Sequence, residues 1–197
     1  MYSQAMRPRV ALSAISSINT AACYSAPMSP SGRAVDTPSI QAAIPPTEVV
    51  PRVFIGDLAA AENAAMLAHL GITHVVSAMR GSVSLPTTAA PFTCLQIPLT
   101  DSPFAELAEH LPRATAFISD ALQDPRARVL VHCVQGISRS ASVVCAHLIK
   151  IYGWTPAQAV QYVKSKRPMA EPNAGFVAQL GEFAESLRAG AAGRGRR

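Results

Sequence analysis

The segment VLVHCVQGISRSAS, residues 129–142, constrains the fold of this chain more than any other feature. It begins with an apolar run typical of a strand buried on both faces of a sheet, and it runs into a helix predicted for residues 140–153. The short loop between them contains Cys133, Gly136 and Arg139. A strand that passes through a tight loop into a helix is typical of α/β folds.

The loop between this strand and this helix has the composition of an anion site. Backbone N–H groups at a helix N-terminus are unpaired and act together with the positive end of the helix dipole. Gly136 lets the backbone come close to the anion, and the guanidinium of Arg139 can hold two oxygens of a phosphate. The predicted backbone donors are Val134, Gln135, Gly136, Ile137 and Ser138.

Cys133 lies at the base of this predicted anion site. The N–H groups and dipole that hold a phosphate also stabilise a thiolate, which is the nucleophilic form of cysteine. Ser140 can donate a hydrogen bond to the sulfur when the sulfur later leaves. The alternative interpretation, a buried structural cysteine, is favoured for Cys94 and Cys145, which lie within a predicted strand and helix. A redox partnership of either with Cys133 stays open at this point.

The other cysteine and histidine positions do not suggest a metal site. The four cysteines have no CxxC pairing and no zinc-ligand spacing, and the chain is too large and too poor in cysteine for a secreted disulfide scaffold. The histidines outside the loop are His69, His74, His110 and His147, and they lie on separate predicted elements. We therefore expect no metal and a reducing compartment, the cytoplasm or the nucleus.

Predicted strands and helices alternate along the rest of the chain. Strands are predicted at residues 52–57, 72–78, 92–99 and 128–132. Helices are predicted at 58–71, 104–122, 140–153, 155–167 and 173–187, and Pro112 divides the second into a first turn and a main helix. Gly71 and Gly153 are placed to end helices, and Thr155 to begin one. The predicted fold class is α/β, with a central, mostly parallel, twisted sheet of about four to five strands flanked by helices.

The distribution of charge argues against nucleic acid as a partner. The formal net charge is +5, but residues 46–187 contain ten basic and eleven acidic residues, so the predicted folded part is nearly neutral. A nucleic-acid-binding domain usually carries its basic patch on the folded surface. The excess of arginine lies in residues 1–45 and 188–197, and we expect the second of these to be a basic, flexible C-terminal tail.

Residues 1–45 are rich in serine, alanine and proline, with no acidic residue before Asp36. This composition favours a disordered leader, and an organellar transit peptide is the alternative interpretation. No apolar run in the chain approaches the roughly 20 residues that span a membrane.

Residues 132–140 resemble the signature of the cysteine-based protein tyrosine phosphatase superfamily: His132, Cys133, five further residues, then Arg139 and Ser140. Residues 48–78 and 167–180 are similar to the opening and closing segments of its dual-specificity branch. The resemblance covers about residues 46–187 and implies one α/β phosphatase domain without cofactor or metal. It implies that Cys133 is the nucleophile, forming a phosphocysteine, and that Arg139 and the backbone of residues 134–138 bind the phosphate.

The resemblance also implies a general acid on a loop about 30 residues before the cysteine. Asp101, in IPLTDSP, occupies that position and would protonate the departing oxygen, then take a proton from water. His132 is expected to orient the loop rather than to shuttle protons. Asn173 is interpreted as a helix N-cap.

The implied substrates are phosphorylated proteins. Leu99 and Thr100 precede the acid where the tyrosine-specific branch has Trp-Pro, which favours phosphoserine and phosphothreonine as well as phosphotyrosine. The uncharged side chains of residues 134–138 argue against a polyphosphorylated lipid. Two alternatives remain: a phosphate-recognising binding module with little turnover, and an RNA 5′-phosphatase of the same superfamily. We assume a monomer.

Overall fold

The computed structural model of this protein describes residues 44–88 and 91–194, with side chains up to residue 191. The predictions made for residues 1–43, including Cys23, and for residues 195–197 therefore lie outside the described residues.

Five strands and six helices make up the described part of the chain. The strands are β1 (Thr47–Val50), β2 (Val53–Gly56), β3 (His74–Ala78), β4 (Thr93–Ile97) and β5 (Val129–His132). The helices are α1 (Leu58–Ala61), α2 (Ala64–Leu70), α3 (Leu111–Ala121), α4 (Arg139–Tyr152), α5 (Pro156–Lys166) and α6 (Ala174–Arg194). In the described segments, no helix is long and apolar enough to cross a membrane.

The strands form one sheet in the order β1-β2-β5-β3-β4. All neighbouring strands run parallel except β1, which is antiparallel to β2. The register aligns His132 at the end of β5 with Gly56 in β2 and Ser77 in β3. Because parallel strands end at the same edge, the loops that follow β2, β3, β4 and β5 meet there.

The sheet is covered by helices on both faces. In β5, Val129 and Val131 pack into the larger core with α3, α4, α5 and α6, whereas Leu130 packs into a smaller core with Leu67 of α2. This alternation follows from the two-residue period of a strand, and it explains why β5 is apolar throughout. The predicted α/β class, the mostly parallel sheet and the central position of β5 are confirmed.

Helix boundaries set by local sequence are also confirmed. Gly71 and Gly153 cap α2 and α4 in the left-handed conformation, with φ of 63° and 67°. Thr155 caps α5 through a capping box with Gln158, and Pro156 is the first helical residue.

The prediction of one helix over residues 58–71 is wrong. The segment forms α1 and α2, and each has its own N-cap: Asp57 accepts a hydrogen bond from Ala60 N at 2.8 Å, and Asn63 from Met66 N at 3.0 Å. The side chain of Asn63 competes with the backbone for that N–H group, so the helix restarts there.

Two further helix boundaries differ from the prediction. Helix α3 begins at Leu111, with Pro112 in its first turn. Residues 104–110 are not helical, and the side chain of Gln179 bonds to the backbone of Ala105 and Ala108 there. Helix α6 continues to Arg194, into the segment predicted as a flexible tail. Strand β1 was not predicted, since this short edge strand acquires its register only from β2.

Candidate active site

Cys133 directly follows β5 and is only 1% exposed. Its Sγ accepts a hydrogen bond from the Gly136 N–H at 3.2 Å and lies 3.4 Å from the Ser140 hydroxyl oxygen. The sulfur therefore has two polar neighbours from its own loop and from the first turn of α4. Both contacts stabilise negative charge on sulfur.

Gly136 has a backbone that no other residue would adopt without strain. Its φ is +67°, and a Cβ placed there would lie 2.6 Å from the Gly56 carbonyl oxygen. Val134 O accepts a hydrogen bond of 3.2 Å from Leu58 N, which joins the loop to the segment that follows β2. Close packing against the end of β2 shapes the loop.

The first turn of α4 lacks a side-chain cap. Ser138 is the N-cap residue, but its hydroxyl does not bond to the helix backbone. It donates instead to Asp101 Oδ1 at 2.7 Å. The N–H groups at the start of α4 are therefore left without a side-chain cap, which is the arrangement that binds an oxyanion.

Asp101 lies beside the same loop, although it follows β4. Besides Ser138, it accepts a hydrogen bond from Asn173 Nδ2 at 2.9 Å, and its Oδ2 is 3.7 Å from Arg139 Nε. Asn173 is the N-cap of α6, as interpreted from the sequence, since its Oδ1 accepts from Phe176 N at 2.9 Å. Its contact with Asp101 could not be inferred from the cap signal alone.

The side chain of Arg139 is 12% exposed and is held at the edge of the loop. Nη1 donates to the Leu99 carbonyl oxygen at 3.4 Å, in the segment that leads to Asp101. Nε is buried and has no hydrogen-bond partner among the residues described. An arriving oxyanion would satisfy this donor.

His132 is fully buried below the loop. Its Nε2 lies 2.8 Å from the Ser77 hydroxyl oxygen and its Nδ1 lies 3.4 Å from the Cys133 carbonyl oxygen. Burial lowers the pKa of His132, against a smaller opposing effect of the bond to the Cys133 carbonyl. A neutral ring that donates from Nδ1 and accepts at Nε2 satisfies both contacts. Neither ring nitrogen contacts the sulfur.

Comparison with known proteins identifies the family. Residues 53–186 match the protein family described as "Dual specificity phosphatase, catalytic domain". The chain belongs to the dual specificity phosphatases. It is 40% identical to mouse dual specificity protein phosphatase 13B over 146 residues, which cover 72% of this chain and 73% of the mouse protein.

Solved structures of related proteins share the fold. Human DUSP28 is 37% identical, with a TM-score of 0.66, and the match covers 74% of this dual specificity phosphatase and 96% of DUSP28. The human tyrosine phosphatase-like serine/threonine/tyrosine-interacting protein is 32% identical, with a TM-score of 0.67, over 73% of this chain and 97% of its own.

The other described cysteines of this phosphatase have different surroundings. Burial raises the pKa of the Cys145 thiol to about 12 and also raises the pKa of Cys94. Neither Cys94 nor Cys145 is disulfide-bonded. Cys145 is buried, but the prediction of a buried structural cysteine is wrong for Cys94, which is exposed because it lies on the edge strand β4. Among the residues that the structure describes, no group of three or more histidine, cysteine, aspartate and glutamate side chains could hold a metal ion.

One residue of the site was missed by sequence reasoning. Arg167, which directly follows α5, is buried against the loop, and its Nε donates to the Gly136 carbonyl oxygen at 2.9 Å. An arginine at a helix C-terminus is common on the basis of the helix dipole alone. Nothing in the local sequence therefore distinguishes it from a surface residue.

Proposed function

We propose that this phosphatase hydrolyses phosphotyrosine, phosphoserine and phosphothreonine in proteins through a phosphocysteine on Cys133. The observation that carries the proposal is the bond between Ser138 and Asp101, which attaches a carboxyl group to the loop that surrounds the sulfur. Nucleophile, anion site and acid are thereby held on one rigid unit. We propose residues 46–187 as the catalytic domain.

In the first step, the Cys133 thiolate attacks phosphorus. A sulfur–phosphorus bond forms, and the bond from phosphorus to the ester oxygen breaks with its electron pair on that oxygen. Asp101, protonated at this stage, gives its proton to the departing oxygen. Arg139 and the backbone N–H groups of residues 134–138 bind the remaining phosphate oxygens, whose charge they stabilise.

In the second step, a water molecule attacks the phosphocysteine. Asp101, now a carboxylate, takes a proton from the water as the new phosphorus–oxygen bond forms. The sulfur–phosphorus bond breaks and returns the Cys133 thiolate. The Ser140 hydroxyl, 3.4 Å from Sγ, stabilises the charge that appears on the sulfur. Inorganic phosphate then leaves.

The surface beside Asp101 supports a protein substrate. A cavity of about 320 Å³ lies there, and Arg80, Thr100, Ser102 and Phe104 are among the residues that line it. Phe104 is 91% exposed. An exposed aromatic ring next to the acid gives a peptide an apolar contact beside its phosphorylated residue. We propose the cytoplasm or the nucleus as the place of action, because reducing conditions keep Cys133 free of disulfides.

The test compares wild type with Cys133→Ser and Asp101→Asn. We expect wild type to release phosphate from p-nitrophenyl phosphate and from phosphotyrosine, phosphoserine and phosphothreonine peptides. Cys133→Ser should release none. Asp101→Asn should slow hydrolysis of phenyl phosphate more than that of p-nitrophenyl phosphate, since the better leaving group depends less on protonation.

The same experiment distinguishes turnover from recognition alone. One relative of known structure is the human tyrosine phosphatase-like serine/threonine/tyrosine-interacting protein. Stoichiometric binding of phosphopeptides by wild type, with no phosphate released, would contradict the proposed activity. Release from triphosphate-ended RNA in preference to phosphopeptides would contradict the proposed substrate class.

A further inference from the structure

Arg167 is 2% exposed and is among the largest fully buried side chains in the described part of the chain. Its three nitrogen atoms lie beside Gly136, in the loop after β5, or beside Thr47, in the edge strand β1. Nε donates to Gly136 O at 2.9 Å, Nη1 donates to Thr47 Oγ1 at 3.0 Å, and Nη2 is buried without a partner in the described residues. Arg167 therefore connects the loop to β1, the strand that sequence reasoning missed.

Burying this cation is unfavourable for the fold. Desolvation lowers the pKa of Arg167, while the negative charge of Asp57 and of the Cys133 sulfur raises it. No carboxylate in the described residues lies within 4 Å of its guanidinium. A buried arginine without a close ion pair is costly for stability, so packing alone does not account for it.

The bond to Gly136 determines which way the loop N–H groups point. In a planar trans peptide the C=O and the following N–H point in opposite directions. When Arg167 holds the Gly136 carbonyl behind the loop, the Ile137 N–H must face the opposite side. Glu171 N donates to Ile137 O at 2.9 Å, and by the same geometry the Ser138 N–H points away from Glu171 N.

Gly136 is also the residue whose own N–H bonds to the nucleophile. Its N–H lies 3.2 Å from Cys133 Sγ while its carbonyl lies 2.9 Å from Arg167 Nε. A Cβ on Gly136 would lie 2.8 Å from Arg167 Nη2, so the guanidinium packs directly against this residue. Both polar groups of Gly136 are thus fixed, one by the sulfur and one by Arg167.

We infer that Arg167 is a positioning residue: by holding the Gly136 carbonyl, it aims the loop N–H groups at the phosphate. The inference rests on the proposed function, because it concerns the same loop. Arg139 is proposed to bind the phosphate directly, whereas Arg167 acts only through the loop backbone. Loss of Arg167 therefore weakens anion binding.

The test uses Arg167→Met and Arg167→Lys in the full chain, with Arg126→Met as the matched control. Arg126 has a 90% exposed side chain and, within the described segments, forms an ion pair with Asp124 alone, so its loss should change nothing at the site. Three quantities are measured: the Kd of inorganic phosphate by isothermal titration calorimetry, the melting temperature, and kcat and KM for p-nitrophenyl phosphate.

For Arg167→Met we expect inorganic phosphate to bind at least tenfold more weakly than it binds to wild type. Arg167→Lys restores the charge without the fork that bridges Gly136 O and Thr47 Oγ1. It should therefore leave phosphate binding weak. A lower melting temperature with an unchanged Kd for phosphate would overturn the inference.

A milder variant keeps the inference testable if Arg167→Met does not fold. Thr47→Val removes only the acceptor of Nη1 and should raise the Kd for phosphate two- to fivefold. A wild-type Kd for phosphate in Thr47→Val would then overturn the inference. Calorimetric phosphate binding needs no turnover, so failure of the proposed catalytic activity is distinguishable from failure of the role given to Arg167.

Discussion

The Ser138 hydroxyl donates a 2.7 Å hydrogen bond to Asp101 Oδ1, although the two residues are 37 positions apart in the sequence. The bond joins the loop after β4 to the loop after β5. Asn173 N in turn donates to Ser138 Oγ at 3.2 Å, and Asn173 Nδ2 donates to the same Asp101 oxygen. The proposed acid is thus positioned by the proposed phosphate loop and by the start of α6.

Ser138→Ala should lower kcat about tenfold without unfolding the protein, because Asp101 loses one of the donors that orient it. The loss should be greater for phenyl phosphate than for p-nitrophenyl phosphate. Steady-state kinetics with both substrates measure this difference. Ser119→Ala, which removes a hydroxyl bonded within α3, is the control. An equal loss for both substrates would contradict a role through Asp101.

The side chain of Asn173 makes two separable hydrogen bonds, one to Asp101 and one to the α6 backbone. Asn173→Ser keeps a helix cap but cannot reach Asp101, and Asn173→Ala loses both contacts. We expect kcat to fall several-fold in both variants. Urea unfolding should show a loss of about 1 kcal/mol only for Asn173→Ala. Wild-type kcat in Asn173→Ser would refute the contribution of the Asp101 contact.

Gly136 and Gly153 have the same backbone conformation but different surroundings, so alanine substitutions at the two positions can be compared directly. Both have φ of +67°, but a Cβ at Gly136 would meet Gly56 O at 2.6 Å, whereas one at Gly153 meets nothing within 4 Å. Gly153→Ala should cost about 1 kcal/mol of stability and leave kcat unchanged. Gly136→Ala should displace the loop and reduce kcat/KM at least a hundredfold. Similar kinetics in the two variants would show that the close approach to Gly56 is unimportant.

Gly175 and Gly181 provide a second pair within α6. A Cβ at Gly175 would lie 2.0 Å from Pro103 O, two residues after Asp101, whereas Gly181 has open space. Gly181→Ala should stabilise the protein by up to about 1 kcal/mol, since alanine favours a helix. Gly175→Ala should push the loop that carries Asp101 away and lower kcat. Circular dichroism melting and kinetics on both variants test this pair, and unchanged kcat in Gly175→Ala would contradict it.

His147 makes stability depend on pH. It is buried in α4, and desolvation, helped by the charge of Lys150, lowers its pKa from 6.5 to about 4. The unfolded chain therefore binds a proton first as pH falls, and stability present above about pH 6.5 is lost progressively towards pH 4. The loss should reach up to about 3 kcal/mol at pH 4.

His147→Leu should flatten this pH dependence in urea unfolding between pH 7 and pH 4.5, because the substitution removes the group whose pKa is lowered. The substitution breaks no hydrogen bond at Nδ1, which has no partner in the described residues. Some slope should remain, since burial also lowers the pKa of His132. His69→Gln, at an exposed position of α2, should keep the wild-type slope. A steep slope that persists in His147→Leu would refute this assignment.

Features that depend on neighbouring residues could be predicted from the sequence alone. Gly71 and Gly153 end their helices in the left-handed conformation, and Thr155 with Gln158 begins another. The buried strand β5, its loop and the following helix are one contiguous segment. These features were predictable because backbone sterics and hydrogen bonds over three or four residues determine them. The roles given to Cys133 and to the residues after it remain predictions.

Contacts between distant segments were decided only by the tertiary structure. The sequence pointed to Asp101 through a family resemblance, but its bonds to Ser138 and Asn173 depend on the order of β3, β4 and β5 and on the packing of α6. The antiparallel strand β1 and the burial of Arg167 against Gly136 left no local signal. Such contacts are selected by the packing of whole elements against one sheet edge, and a pattern read along the chain does not contain that information.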